Sequence, residues 1–262
     1  MEEDCLLRCR MLLGDKVIER MSEVRVIIFG IGGVGSWCAE SLIRTGVRHL
    51  TIVDGDCVCS SNINRQLMAM PATVGKRKTD VLRDRLLDIC PEAEIDARFE
   101  RFGRHVSLRE APVPGNRDTG SHNSRAKTTS DFQLSTFDYI IDAIDSLDDK
   151  MLLIETACLT DAFFASSMGA ALKIDPARIQ VAPFDKVHGC PLAKSLRKRF
   201  RQRGEWPARP FPCVFSDEPG ANKYDIEPRA NGSLMHVTAS FGLRLAALVV
   251  QDIINAVDNN TI

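Results

Sequence analysis

The segment GIGGVG at residues 30–35 constrains this chain more than any other feature, because of what stands on either side of it. Residues 24–29 (VRVIIF) are an apolar-rich run of strand length, and residues 36–45 read as a helix that stops near Gly46. Residues 50–53 supply a second strand, closing on Asp54. Strand, glycine-rich turn, helix, strand is how a parallel sheet with helices on its faces begins. Phosphate oxygens reach the backbone N–H groups at the start of such a helix only where side chains are absent, which is why the turn needs glycine.

The rest of the chain extends the same plan. Residues 6–21 read as one helix with Leu6, Leu7, Met11, Leu12, Val17 and Ile18 as its apolar stripe. A helix at 76–89 is stopped by Pro91, and a strand follows at 95–99. Residues 111–130 are polar, without periodicity and rich in turn formers, so they are expected to be a flexible insertion. A strand at 139–144 carries Asp145 at its end, a helix spans 150–160, and another strand spans 163–167. From Gly169 the pattern changes to a short strand at 179–183, a basic helix at 191–203 and a loop-rich stretch around a strand at 209–224. The apolar segment 237–257 carries Arg244 and Asp252, which suits a buried amphipathic helix better than a membrane span. The expected fold is α/β: a Rossmann-like, mostly parallel sheet flanked by helices. It forms one domain over 1–262, with 169–262 as a C-terminal elaboration.

Composition narrows the compartment more than the chemistry. The formal net charge is −1, which leaves room for local basic patches that hold phosphates. Nine cysteines, an odd number without any CxxC pair, suit reduced thiols in a cytoplasmic protein. Cys190 and Cys213 read as structural, and the acidic start does not resemble a targeting peptide.

The glycine turn and Asp54, taken alone, would also satisfy a nicotinamide dehydrogenase, with Asp54 on the ribose. The residues that follow do not. Asp56, the run SNINRQ containing Asn62 and Arg65, and then Lys78 place an arginine and a lysine beside the phosphates. Hydride transfer has no need of them. A triphosphate does, since its charge must be neutralised before its α-phosphorus is attacked. Asp56 and Asp145 offer oxygen ligands for Mg2+.

The run GIGGVGSWCAESLIRTG, followed by LTIVDGD and SNINRQ, resembles the ubiquitin-activating superfamily, which includes the molybdopterin and thiamin adenylyltransferases. Later segments are similar to one branch, the tRNA threonylcarbamoyladenosine dehydratases. They include YIIDAID at 139–145, SSMGAA at 166–171, Asp175-Pro176, Asp185-Lys186, PLA at 191–193, LRKR at 196–199 and VFS at 214–216. The resemblance implies the ThiF-type adenylation fold and ATP-dependent cyclisation of the threonylcarbamoyl group beside the anticodon, at tRNA position 37. In that chemistry the threonyl carboxylate is activated as an acyl-adenylate, and the neighbouring carbamoyl group then displaces AMP. Because the second nucleophile is intramolecular, no enzyme cysteine is required. Carried over by position, Gly30, Gly32, Gly33 and Gly35 lie against ATP, and Asp54 binds its ribose. Arg65 and Lys78 hold phosphates with help from Asn62, while Asp145 and, with it, Asp56 serve Mg2+ or the reacting end. The resemblance also implies a homodimer, in which Arg8 or Arg10 would reach the partner's nucleotide, and a sulfur-acceptor or cysteine desulfurase system as a protein partner.

The zinc-binding CxxC pairs usual in the adenylyltransferases are missing, which counts against the main alternative, activation of a ubiquitin-like sulfur carrier at its C-terminus. A cysteine that some dehydratases carry before the final helix is also missing, since residues 224–235 contain none. A non-catalytic nucleotide-binding adaptor is a further alternative. The basic helix points to tRNA: residues 194–209 hold seven positive side chains against Glu205 alone. Arg197, Lys198, Arg199, Arg201 and Arg203 are its candidate phosphate contacts, with Trp206 and Phe211 as candidates for stacking on a base.

Overall fold

A computed structural model describes residues 5–103, 132–224 and 230–259; the polar insertion expected at 111–130 lies outside the described residues. The strands are β1 (Arg25–Phe29), β2 (His49–Val53), β3 (Glu94–Arg98), β4 (Tyr139–Asp142), β5 (Phe163–Ser167), β6 (Ile179–Pro183) and β7 (Pro212–Ser216). They form a seven-stranded sheet in the order β3-β2-β1-β4-β5-β7-β6. All neighbours are parallel except β6, which runs antiparallel to β7 at the edge.

The continuous apolar run in β1 reflects a strand covered on both faces. Val26 and Ile28 join one core while Ile27 and Phe29 join the other, and all four are essentially inaccessible. The helices are α1 (Leu7–Leu13), α2 (Asp15–Glu23), α3 (Gly35–Thr45), α4 (Lys78–Ile89), α5 (Leu147–Ala157), α6 (Pro191–Arg203) and α7 (Met235–Asp258). Residues of α2, α3, α4 and α7 build the first core, and those of α5 and α6 the second. The two cores thus sandwich the sheet. Glu40 ties α3 to α4 through Arg85 at 2.6 Å and is also held by Arg44 at 2.8 Å.

By length and composition α7 could cross a membrane. Its packing makes it a core helix instead. Val237, Phe241, Leu245, Val249 and Ile253, spaced four apart, are buried. Gly242 lets the backbones of α7 and α3 approach so closely that a Cβ there would lie 2.3 Å from the Val34 carbonyl oxygen. The Tyr139 hydroxyl donates to Asp252 Oδ2 at 3.0 Å, pinning α7 to β4.

Two regions differ most from the sequence expectation. The single helix read over 6–21 is two, because Gly14 adopts φ 79 and ψ 162, outside helical space, and turns α2 against α1. The strand read over 139–144 stops at Asp142, and its following helix starts at Leu147 rather than Lys150. Asp142 Oδ1 accepts the Ile144 N–H at 3.0 Å, and Lys150 Nζ donates to the Ile144 carbonyl at 2.8 Å. Side chains have taken the hydrogen bonds that would have extended the ladder.

Candidate active site

The strand order reverses between β1 and β4, and the C-terminal ends of β1, β2, β4 and β5 open there into a cavity of about 530 Å3. Ligands of open α/β sheets bind at such a switch point. The glycine turn forms one wall, and its glycines divide their work. Gly30 has φ 81, and a Cβ on Gly35 would sit 1.9 Å from the Gly30 carbonyl oxygen, so these two make the tight turn possible. At Gly32 a Cβ would meet nothing closer than Gln66 Nε2 at 3.5 Å; its bareness keeps the cavity wall open. Residues at or beside the N-terminal ends of α3, α5, α6 and α7 also line the cavity, through Val34, Ser146, Leu192 and Thr238. Unpaired N–H groups at helix starts favour anions.

Charge is concentrated on one side. Asp54 Oδ2 accepts the Ile31 N–H at 3.0 Å and its Oδ1 accepts the Asp56 N–H at 2.9 Å, so this carboxylate fastens the glycine turn to the end of β2. Burial pushes the Asp54 carboxyl up, against the pull of Lys78. Lys78, at the start of α4 and only 5% exposed, places Nζ 3.0 Å from Asp56 Oδ2 and 3.8 Å from Asp54 Oδ1. Arg101 Nη2 lies 2.6 Å from Asp56 Oδ1. Burial raises Asp56, but Lys78 and Arg101 outweigh it and hold its carboxyl below the ordinary value.

The pairing of Asp56 therefore adds stability that is fully present above the ordinary carboxylate range, about pH 4, and is lost as pH falls through the lowered folded value. Replacing Arg101 by methionine removes one of the two cations. Acid unfolding, followed by circular dichroism between pH 5 and 2, is expected to start at higher pH in Arg101→Met than in the parent. Coincident acid transitions would contradict this account of Asp56. Arg101 escaped the sequence reading because it reaches Asp56 from beyond β3. Its trace is Gly55, where a Cβ would lie 2.6 Å from Arg101 Cγ.

Arg65 lines the cavity and donates from Nη1 to the Ser61 carbonyl at 2.8 Å and to Asn64 Oδ1 at 3.0 Å. Asn62 is buried and does not line the cavity; its Oδ1 accepts the Cys59 N–H at 3.0 Å, shaping the turn that presents Arg65. Gln66, also on the wall, leaves its buried Oε1 without a partner among the described residues. Asp145 lines the cavity, exposed, and its carboxylate has no partner among the described residues. The two carboxylates expected for a metal differ in kind: Asp56 is engaged by two cations and Asp145 is open. Among the described residues no group of three or more His, Cys, Asp or Glu side chains could hold a metal ion. Arg8 is exposed, and Arg10 pairs with Asp15 at 3.0 Å.

The basic helix α6 has two faces. Arg197 donates to the Phe184 carbonyl at 3.1 Å, Arg199 pairs with Asp148, and Arg203 pairs with Glu155 at 3.1 Å. These three fasten α6 to the body. Lys194, Lys198 and Arg201, on the helix spacing i, i+4, i+7, are exposed with side chains unpaired among the described residues. Phe211 is buried and stacks on Phe184 at 5.2 Å, so it is core. Trp206 is 46% exposed and packs edgewise on Phe200. Cys190 and Cys213 are buried, and burial pushes the Cys213 thiol up, in keeping with structural thiols.

Switch-point cavity, glycine turn and clustered cations define an α/β protein built to hold a phosphorylated ligand. The chain belongs to the ThiF family, whose pattern matches residues 6–259. It is 35% identical over 211 residues to the tRNA threonylcarbamoyladenosine dehydratase of Bacillus subtilis, covering 80% of this chain and 74% of that one. It is 31% identical over 252 residues to the Haemophilus influenzae protein of the same name, covering 90% and 88%. Among solved structures, the Escherichia coli tRNA N6-threonylcarbamoyladenosine dehydratase in complex with ATP matches with a TM-score of 0.76 and 27% identity, covering 97% and 96%. The ThiF-type, mostly parallel α/β fold expected from the sequence is the fold observed.

Proposed function

We propose that this chain uses ATP to dehydrate threonylcarbamoyladenosine at tRNA position 37, closing the threonylcarbamoyl group into a ring. One observation carries the substrate assignment: the likeness to the dehydratases is not confined to the glycine turn but runs through 90% of the chain. Arg65 and Lys78 hold the triphosphate against the glycine turn, and Asp54 faces the ribose, its second lone pairs still available. A threonyl carboxylate oxygen attacks the α-phosphorus, the bond to the β-phosphate oxygen breaks, and pyrophosphate leaves. The carbamoyl group then attacks the acyl carbon and AMP departs with the carboxylate oxygen, so the lost water is accounted for. Asp145, open to the cavity, is the residue that would hold Mg2+ with phosphate oxygens, as one carboxylate suffices for that ion. Bound there, Mg2+ would neutralise phosphate charge.

Pyrophosphate and AMP release that requires tRNA bearing threonylcarbamoyladenosine tests this reading. Release driven instead by a ubiquitin-like carrier protein would establish the carrier-activating alternative. The reading also includes a homodimer and a partner of the sulfur-transfer type, which the resemblance supports, and a cytoplasmic location, which the unpaired cysteines support.

On this reading the free face of α6 meets tRNA phosphates. Replacing Lys194, Lys198 and Arg201 together by glutamine is expected to weaken tRNA binding and to flatten the dependence of log K on log salt by about three units. ATP affinity should stay unchanged. The same change at Arg197, Arg199 and Arg203 should lower the melting temperature. Equal salt slopes for the first triple variant and the parent would remove α6 from the tRNA interface.

A further inference from the structure

Among the described residues, Asp142 and Lys150 form a fully buried ion pair outside the nucleotide wall. Both side chains are fully inaccessible, and Lys150 Nζ lies 2.8 Å from Asp142 Oδ2. Burying two charges is expensive, and a hydrophobic pair of similar volume is commonly as stable or more so. Stability alone is therefore a weak reason for this pair, and its hydrogen bonds supply another.

Each group of the pair grips the backbone between β4 and α5. Asp142 Oδ1 accepts the Ile144 N–H at 3.0 Å, and Lys150 Nζ donates to the Ile144 carbonyl oxygen at 2.8 Å. That carbonyl belongs to the peptide unit that carries the N–H of Asp145. Ser166 Oγ donates to Asp142 Oδ2 at 2.7 Å, fixing the carboxylate from the neighbouring strand. Both peptide planes flanking Ile144 are thus held from inside the fold. The preceding residue is pinned as well: the Ala143 N–H donates to the Phe29 carbonyl at 2.8 Å, and Gly30 packs against the Ala143 carbonyl. The backbone leading into Asp145 is hydrogen-bonded up to the residue before it, while the Asp145 side chain stands open in the cavity.

We infer that Asp142, Lys150 and Ser166 are positioning residues that aim Asp145 at the reacting end of the nucleotide, an inference that rests on the function proposed above. The pair acts through the backbone and touches no substrate. Its loss should lower turnover more than nucleotide affinity, because the glycine turn, Arg65 and Lys78 are held by other contacts.

The test uses the full chain, ATP and tRNA bearing threonylcarbamoyladenosine. The double variant Asp142→Asn/Lys150→Met removes the ion pair without stranding a charge. It is expected to bind ATP within about threefold of the parent by calorimetry while kcat for dehydration falls roughly 30- to 100-fold, the scale of a misplacement near 1 Å. Ser166→Ala keeps the ion pair and removes only one buried hydrogen bond to the carboxylate; it should lower kcat by roughly three- to tenfold with a modest fall in melting temperature and the fold retained. If the double variant folds and keeps kcat within threefold of the parent, the positioning role is overturned. If it does not fold, Ser166→Ala decides: a parent-like kcat overturns the inference and a reduced one supports it. A parent chain without dehydratase activity would instead overturn the proposed function, and with it the inference.

Discussion

Replacing Lys78 by alanine is expected to lower kcat/KM for ATP by at least about 100-fold, the scale on which a preorganised charge stabilises a transition state. The size follows from the position of this lysine. It is nearly inaccessible, rooted at the first residue of α4, and it projects Nζ into the cavity between Asp54 and Asp56. Without it, a buried carboxylate and its neighbour face each other with Arg101 as the one cation paired to them among the described residues, and a triphosphate would enter a less favourable field. Lys78→Met, which keeps the apolar stem, should lose activity to the same extent and lose less stability. Steady-state kinetics with ATP as the varied substrate measure the effect, and a kcat/KM within threefold of the parent for either variant would remove Lys78 from phosphate binding.

Gly35→Ala is expected to be severely damaging for the addition of one methyl group. Its methyl group would lie 1.9 Å from the Gly30 carbonyl oxygen and 3.3 Å from Ala143 Cβ. Neither neighbour is a flexible side-chain end, so the turn itself must open. Such overpacking costs about 1–3 kcal/mol or more, and it would dismantle the N-terminus of α3 where phosphate is to bind. Both the melting temperature and ATP affinity should fall. Gly32→Ala separates the two effects, because its added methyl meets only Gln66 Nε2 at 3.5 Å. There the melting temperature should hold while ATP affinity drops. Equal thermal losses in the two variants would show that the glycines do not divide the work between turn and cavity.

The sequence made local features legible and left long-range ones hidden. The β1 run, the glycine turn and α3 are contiguous, and their hydrophobic pattern and glycine spacing report a physical demand directly. Asp54, Arg65, Lys78 and Asp145 belong to separate parts of the chain, yet all line one cavity: Asp54 and Asp145 follow the C-terminal ends of β2 and β4, Lys78 starts α4, and Arg65 is carried there by the turn that Asn62 shapes. Arg101 and Lys150 were not legible. Arg101 meets Asp56 across 45 positions, and nothing in local spacing announces that contact. Lys150 reads only as the start of a helix, and nothing local announces that it is fully buried, where Asp142 and Ile144 offer it partners inside the fold. The basic helix was legible as a charge run but not as two faces. Which arginines are consumed by Asp148, Glu155 and Phe184 depends on how α6 lies against the body.

Mass spectrometry of tRNA nucleosides tests the central claim most directly. The full chain is incubated with ATP, Mg2+ and tRNA bearing threonylcarbamoyladenosine, and the tRNA is then digested to nucleosides. The account predicts that threonylcarbamoyladenosine is replaced by a species lighter by one water, only when ATP is present, and not with Lys78→Ala. Unchanged threonylcarbamoyladenosine in the presence of ATP, under conditions where the chain is folded and binds the nucleotide, would contradict it.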